Sequence, residues 1–233
     1  MRKIVIALPK NARLLASAYD VFKNSGYTSV ALEQELIKNE SKHLEYEGDN
    51  VIFLLVRQSD IPQYVDRNWA DLGIAAFDCY REYELSSVAA GRTMRGDNFI
   101  SDMLPDLGFF KNSRFCVAGK PEVMPFYEKC GEIHEKILTV ATERPHIAAN
   151  FFARKGILAD IVTVSGSSEL MPLYGGAEAI FDIVETGRAL VENGLVIFEE
   201  AMPIQTKILV SKAALKYDQN VAGMMEVLKN AIK

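Results

Sequence analysis

The 233-residue sequence contains few residues with redox, metal or membrane chemistry. It has three cysteines, Cys79, Cys116 and Cys130. They are odd in number and too scattered for a disulfide framework or a metal knuckle, so they read as reduced thiols of a cytoplasmic protein. The three histidines, His43, His134 and His146, form no ligand pair. A metal held by protein side chains alone is therefore not expected. No apolar run approaches the roughly 20 residues needed to span a bilayer. The N-terminal run Ile4-Val5-Ile6-Ala7-Leu8 stops at Pro9-Lys10 after five residues, the length of a strand and too short for a secretory signal. There is no basic excess either: the net charge is −5, which argues against general nucleic-acid binding. Any phosphate ligand must then be held locally, by backbone amides and a few placed cations.

The hydrophobic fraction of 49% is enough for a sizeable core. Buried strands are expected over 3–8, 51–56, 114–119, 160–164 and 207–211, with helices over 11–25, 147–155 and 221–232. Ser59-Asp60-Ile61-Pro62 has the cap residues and first-turn proline of a helix start. Strands alternating with helices predict an α/β fold with mainly parallel sheets and flanking helices. Residues 91–105 are polar and read as a mobile connection. A faint echo links the halves. A strand, Ser59-Asp60, a proline-containing helix and Ala70-Asp71 in the first half answer a strand, Ser168-Glu169, a proline-containing helix and Ala177-Glu178 in the second. It predicts two similar lobes with a ligand cleft between them. The expected division is 1–100 plus 197–233 for lobe 1 and 101–196 for lobe 2.

The stretch 180–194 concentrates the chemistry. Apolar residues interrupted only by Asp182 lead to Glu185, a Thr186-Gly187 turn and a short helix stopped at Asn193-Gly194. A strand, a glycine turn and a helix start place several backbone N–H groups at one point, an anion cradle. Asp182 and Glu185 just upstream suit ribose hydroxyls. An ordinary strand-to-helix turn has the same composition.

Runs along the chain, in their order and spacing, resemble the short form of ATP phosphoribosyltransferase. They are Ala7-Leu8-Pro9-Lys10, Asp60-Ile61-Pro62-Gln63-Tyr64-Val65, Ala70-Asp71-Leu72-Gly73-Ile74, Ser165-Gly166-Ser167-Ser168-Glu169-Leu170-Met171-Pro172-Leu173, Asp182-Ile183-Val184-Glu185-Thr186-Gly187 and Asn193-Gly194-Leu195. The resemblance implies a two-lobed fold like a type-II periplasmic binding protein. It implies an enzyme that joins N1 of ATP to C1′ of phosphoribosyl pyrophosphate (PRPP), releases pyrophosphate and uses Mg²⁺ carried by its phosphate substrates. By resemblance, Glu185 and Asp182 are catalytic and lie near the ribose. Thr186, Gly187, Arg188, Ala189 and Leu190 wrap the 5′-phosphate. Lys10, Arg13, Ser165, Gly166 and Ser167 meet ATP or the pyrophosphate. The short form lacks the histidine-binding C-terminal domain and works with a partner resembling histidyl-tRNA synthetase, so an oligomer and such a subunit are implied.

Departures from the family pattern fall on ligand-side positions. Asn11-Ala12 precedes Arg13 where the family has a single glycine. Phe77 stands where a lysine is usual, Glu143-Arg144 where the family has Lys-Tyr, and Arg188-Ala189 where hydroxyl residues are common. These leave a second reading open: a divergent, non-catalytic or regulatory paralogue that binds a different small anion.

Overall fold

The computed structural model describes residues 2–38, 43–92, 106–130 and 137–232. The chain forms two compact units: unit 1, Met1–Phe109 with Gln205–Lys233, and unit 2, Phe110–Ile204.

In unit 1 the apolar run at the N-terminus is β1 (Ile4–Pro9), buried at five of its six positions. Helix α1 (Ala12–Lys23) follows, then α2 (Val30–Lys38), β2 (Glu45–Glu47) and β3 (Val51–Val56). A 3-10 turn (Gln58–Asp60) leads into α3 (Ile61–Asp66), with proline in its first turn. The fully buried β4 (Leu72–Ala76) runs directly into α4 (Phe77–Ala89). With β10 (Thr206–Val210) added from the far end of the chain, the sheet order is β10-β4-β1-β3-β2. β1 pairs in parallel with β3 and β4, while β2 and β10 pair antiparallel at the flanks. One face of the sheet is covered by Tyr19 and Phe22 of α1, set edge-on to Phe53, and by Met224, Met225 and Leu228 of the last helix. Each fully buried side chain of this size stabilises by roughly 1.5–3 kcal/mol.

Unit 2 contains β5 (Arg114–Gly119), α5 (Met124–Lys129), β6 (Leu138–Thr142), α6 (Pro145–Arg154), β7 (Ala159–Thr163), α7 (Leu170–Leu173), β8 (Ala179–Val184), α8 (Arg188–Glu192) and β9 (Val196–Pro203). Its order is β7-β6-β8-β5-β9. β6 pairs in parallel with β7 and β8, and β5 pairs antiparallel with β8 and β9. On one face Phe181 stacks on Phe115 at 4.9 Å and meets Phe151 and Phe152. The chain then returns to unit 1 as β10 (Thr206–Val210), α9 (Lys212–Tyr217) and α10 (Gln219–Ala231).

The echo between the halves has a physical counterpart. In each sheet the central parallel strand is locked to the residue just before its third strand by a reciprocal pair of bonds. Asp71 donates its N–H to Val5 O (2.8 Å), and its Oδ2 accepts the Val5 N–H (2.9 Å). Glu178 donates its N–H to Thr139 O (2.9 Å), and its Oε2 accepts the Thr139 N–H (2.7 Å). The carboxylate satisfies an edge donor that the strand ladder leaves over.

Two expectations are modified, and one element is new. The sheets are mixed, because β10 and β5, the strands that follow each passage between units, join their sheets antiparallel. The return to unit 1 falls after residue 204, not at 197, because β9 pairs with β5. Helix α4 occupies residues 77–89, whose apolar residues mark no single face; its buried positions include Asp78 and Ser87. Of the connection expected over 91–105, residues 93–105 lie outside the described residues.

Candidate active site

Alternation along β8 divides its side chains between two environments. Phe181 enters the aromatic cluster. Ile180 and Val184 enter the apolar cluster under α7 and α8, and Asp182 lies between them on that same face, half-buried. Asp182 is therefore a carboxylate set into an otherwise apolar stripe. Its Oδ2 accepts a hydrogen bond from the Ser168 hydroxyl, and its Oδ1 accepts the Ile183 N–H at 2.6 Å.

The chain then turns through Glu185, Thr186 and Gly187. Gly187 has φ +73°, the left-handed region, where a side chain costs about 1–2 kcal/mol. This kink folds the next residues back as α8. The Arg188 N–H donates to Thr186 Oγ1 at 3.3 Å. Among the described residues, the N–H groups of Gly187, Ala189 and Leu190 meet no protein acceptor. At five residues α8 has little dipole, so these amides carry the anion-binding capacity of the turn. A pocket of about 220 Å³ opens here, lined by Asp182, Glu185, the five residues Thr186 to Leu190, Ser168 and Glu169 among others. It has room for a phosphate and part of a sugar.

Two side chains of the loop have partners away from the turn. Leu190 is buried against Ala177, Ile180 and Val184, so only its backbone faces the turn. Arg188 is 82% exposed, and its Nε donates to Glu192 Oε1 at 2.6 Å, one turn on. Its charge is directed along α8 and not over the loop. An exposed pair of this kind is worth only a few tenths of a kcal/mol, so it releases easily.

The second wall is the β7–α7 connection. Gly166 (φ +120°) and Ser167 (φ +49°) are consecutive left-handed residues, and they turn Ser168 inward. Ser168 is 1% exposed. Glu143, just after β6, reaches this turn: a Cβ built on Gly166 would lie 3.8 Å from Glu143 Oε1. Cys116, the register partner of Asp182 on β5, lies in the apolar cluster with Ile180 and Val184, and burial pushes its thiol above its usual range.

The profile of the family described as HisG: ATP phosphoribosyltransferase matches residues 57–232. The chain belongs to this family. It is 36% identical over 234 residues to the ATP phosphoribosyltransferase of Bacillus cereus, covering 97% of each chain, and to the same extent to that of Bacillus thuringiensis. Among solved structures it is similar to the ATP phosphoribosyl transferase (HisG:HisZ) complex from Thermotoga maritima, at 26% identity and a TM-score of 0.75 over 98% of each chain. The periplasmic aliphatic sulphonate binding protein SsuA from Escherichia coli shares the fold alone: 13% identity, TM-score 0.53, 99% of this chain and 72% of that one. The architecture is thus the two-lobed, type-II periplasmic-binding-protein-like α/β fold.

Within this ATP phosphoribosyltransferase-family chain, the candidate ribose and phosphate residues all come together on unit 2. Lys10 and Arg13 belong to unit 1, where β1 ends and α1 begins. Lys10 is exposed and its N–H donates to Val56 O at 2.9 Å; for Arg13 only the backbone is described. Ser168 is not among the candidate site residues of the sequence, although Ser168-Glu169 heads the helix in the echo between the halves and falls in a family-like run. A hydroxyl's burial is not legible from residue type.

Proposed function

We propose that this chain catalyses attack of N1 of the ATP adenine on C1′ of PRPP, releasing pyrophosphate and forming phosphoribosyl-ATP, the first step of histidine biosynthesis. The observation that carries it is family membership across 97% of the chain, joined to a pocket that groups Asp182, Glu185 and the loop amides.

The ring nitrogen is a weak nucleophile, so rate must come from alignment and from electrostatic support of the departing pyrophosphate. The amides of Gly187, Ala189 and Leu190 hold the 5′-phosphate. Asp182 and Glu185 accept hydrogen bonds from ribose hydroxyls and face the positive charge that develops on the ring. Lys10 and Arg13, with the Ser165-Gly166-Ser167 turn, serve the triphosphate or the pyrophosphate. No group of three His, Cys, Asp or Glu side chains among the described residues is placed to hold a metal ion. Mg²⁺ is assigned to the phosphate substrates, where it neutralises charge on the leaving group. A separate subunit resembling histidyl-tRNA synthetase is the proposed partner, in line with the Thermotoga maritima complex.

Two observations favour the rival reading, a paralogue without transferase activity: Glu143 adds negative charge beside the Gly166 turn, and Arg188 is directed to Glu192. Purified chain with ATP, PRPP and Mg²⁺, with and without the partner, decides between them. Formation of phosphoribosyl-ATP is expected. Its absence in both mixtures, together with no PRPP binding at millimolar concentration, would replace the enzyme by the paralogue.

A further inference from the structure

We propose that Ser168 is a positioning residue for the transferase reaction: its buried hydroxyl clamps the Asp182 carboxylate in the orientation that receives the PRPP ribose. This rests on the function proposed above.

Four observations support it. Ser168 is 1% exposed, and its hydroxyl donates to Asp182 Oδ2. The other carboxylate oxygen, Oδ1, is held by the Ile183 N–H. Asp182 is thus gripped at both oxygens from the protein side, which fixes the plane of the carboxylate. Each oxygen keeps a further acceptor position for a vicinal diol. Delivering Ser168 to this place requires two consecutive left-handed residues, Gly166 and Ser167. A non-glycine residue at φ +49° costs free energy that a free choice of backbone would avoid, and such strain concentrates at functional sites. Finally, Ser168 and Asp182 line the same pocket as the Thr186-Gly187 turn. The clamp therefore ties the β7–α7 connection to the strand that carries the candidate ribose carboxylate.

A serine that only packed α7 would affect stability and treat both substrates alike. A serine that orients Asp182 would act on PRPP and only while Asp182 is present. Steady-state kinetics of Ser168→Ala, Asp182→Asn and the double variant, in the presence of the partner, distinguish the two. Ser168→Ala is expected to lower kcat/KM for PRPP by roughly 10- to 150-fold, the range for a hydrogen bond to a charged group. The KM for ATP should stay within about twofold. In the Asp182→Asn background the same serine change should cost less than about threefold, because the charged acceptor is gone. Ser168→Thr and Ser168→Val, equal in shape, control for packing: the threonine should exceed the valine by about tenfold or more in kcat/KM. Equal losses in both backgrounds, parallel rises in KM for ATP and PRPP, or indistinguishable Thr and Val variants would overturn the clamp while leaving the transferase intact. A wild-type chain that makes no phosphoribosyl-ATP would instead remove the function itself, and the clamp with it.

Discussion

At the scale of single residues, polar groups in unit 2 divide into those that hold the structure and those left for a ligand. Glu199 is of the first kind. Burial pushes its carboxyl up, but the Lys155 ammonium and the Tyr127 hydroxyl both donate to it, and the balance lies below the usual carboxylate range. A carboxyl with a depressed folded pKa adds stability above its unfolded pKa and loses it as pH falls through the folded value. Glu199→Gln should therefore destabilise at pH 7, and the deficit should shrink as pH is lowered through 4 toward 3. Urea unfolding at several pH values measures it; a deficit independent of pH would refute the assignment. The Ala189 N–H is of the second kind. Its residue lies without a hydroxyl in the turn proposed to hold the 5′-phosphate, so Ala189→Thr should tighten PRPP binding by roughly tenfold, within the range for a hydrogen bond to a charged group. Arg188→Ala removes only an exposed pair from the free protein, so it should leave the unfolding midpoint unchanged. Calorimetry shows whether its removal weakens PRPP more than ATP, as expected if Arg188 leaves Glu192 for the phosphate.

At the scale of elements, the left-handed turn between β8 and α8 is the decisive joint. A Cβ on Gly187 would meet only Val184 Cγ1, at 3.9 Å, so the protein itself leaves space there. The strain of φ +73° remains, about 1–2 kcal/mol. Gly187→Val should lower stability by about that amount and abolish PRPP binding, because the added atoms occupy the approach of the phosphate. Retained affinity in a folded variant would show that the turn is not the cradle. The paired carboxylates Asp71 and Glu178 make a second element-scale test. Asp71 is buried, holds the Val5 N–H and pairs with Arg2. Asp71→Ala leaves a buried donor unsatisfied and should cost about 1–3 kcal/mol, read from denaturant unfolding.

At the scale of the whole molecule, the two units repeat one plan. Each has three parallel strands with the first in the middle, and a fourth, antiparallel strand beside the third. The plan is completed only by exchange of chain, since β10 joins unit 1 from beyond unit 2. No helix among the described residues is long and apolar enough to cross a membrane. Cys79, Cys116 and Cys130 are buried and unbridged. Denatured, unreduced protein shielded from air should titrate as three thiols, and the folded protein should react far more slowly, since burial keeps the reagent from the sulfurs. Fewer than three thiols on denaturation would contradict the structure.

Local pattern was enough for much of this. The runs at Ile4–Pro9 and Arg114–Gly119 are buried on both faces and Val51–Val56 on one with the other half-covered, so all three are apolar and read as strands without a tertiary context. Thr186-Gly187 reads as a turn because glycine alone enters the left-handed region freely, and Pro62 marks the first turn of α3 for an equally local reason. Other features depend on partners distant in sequence. Val196–Pro203 belongs to unit 2 because β5, some 80 residues earlier, accepts its pairing. Leu190 points inward because Ile180 and Val184 lie beneath it. Ser168 differs in type in no way from Ser165 and Ser167. Its distinction is the Asp182 carboxylate that the fold brings to it, and a hydroxyl's partner is a matter of three-dimensional proximity that residue type and spacing do not carry.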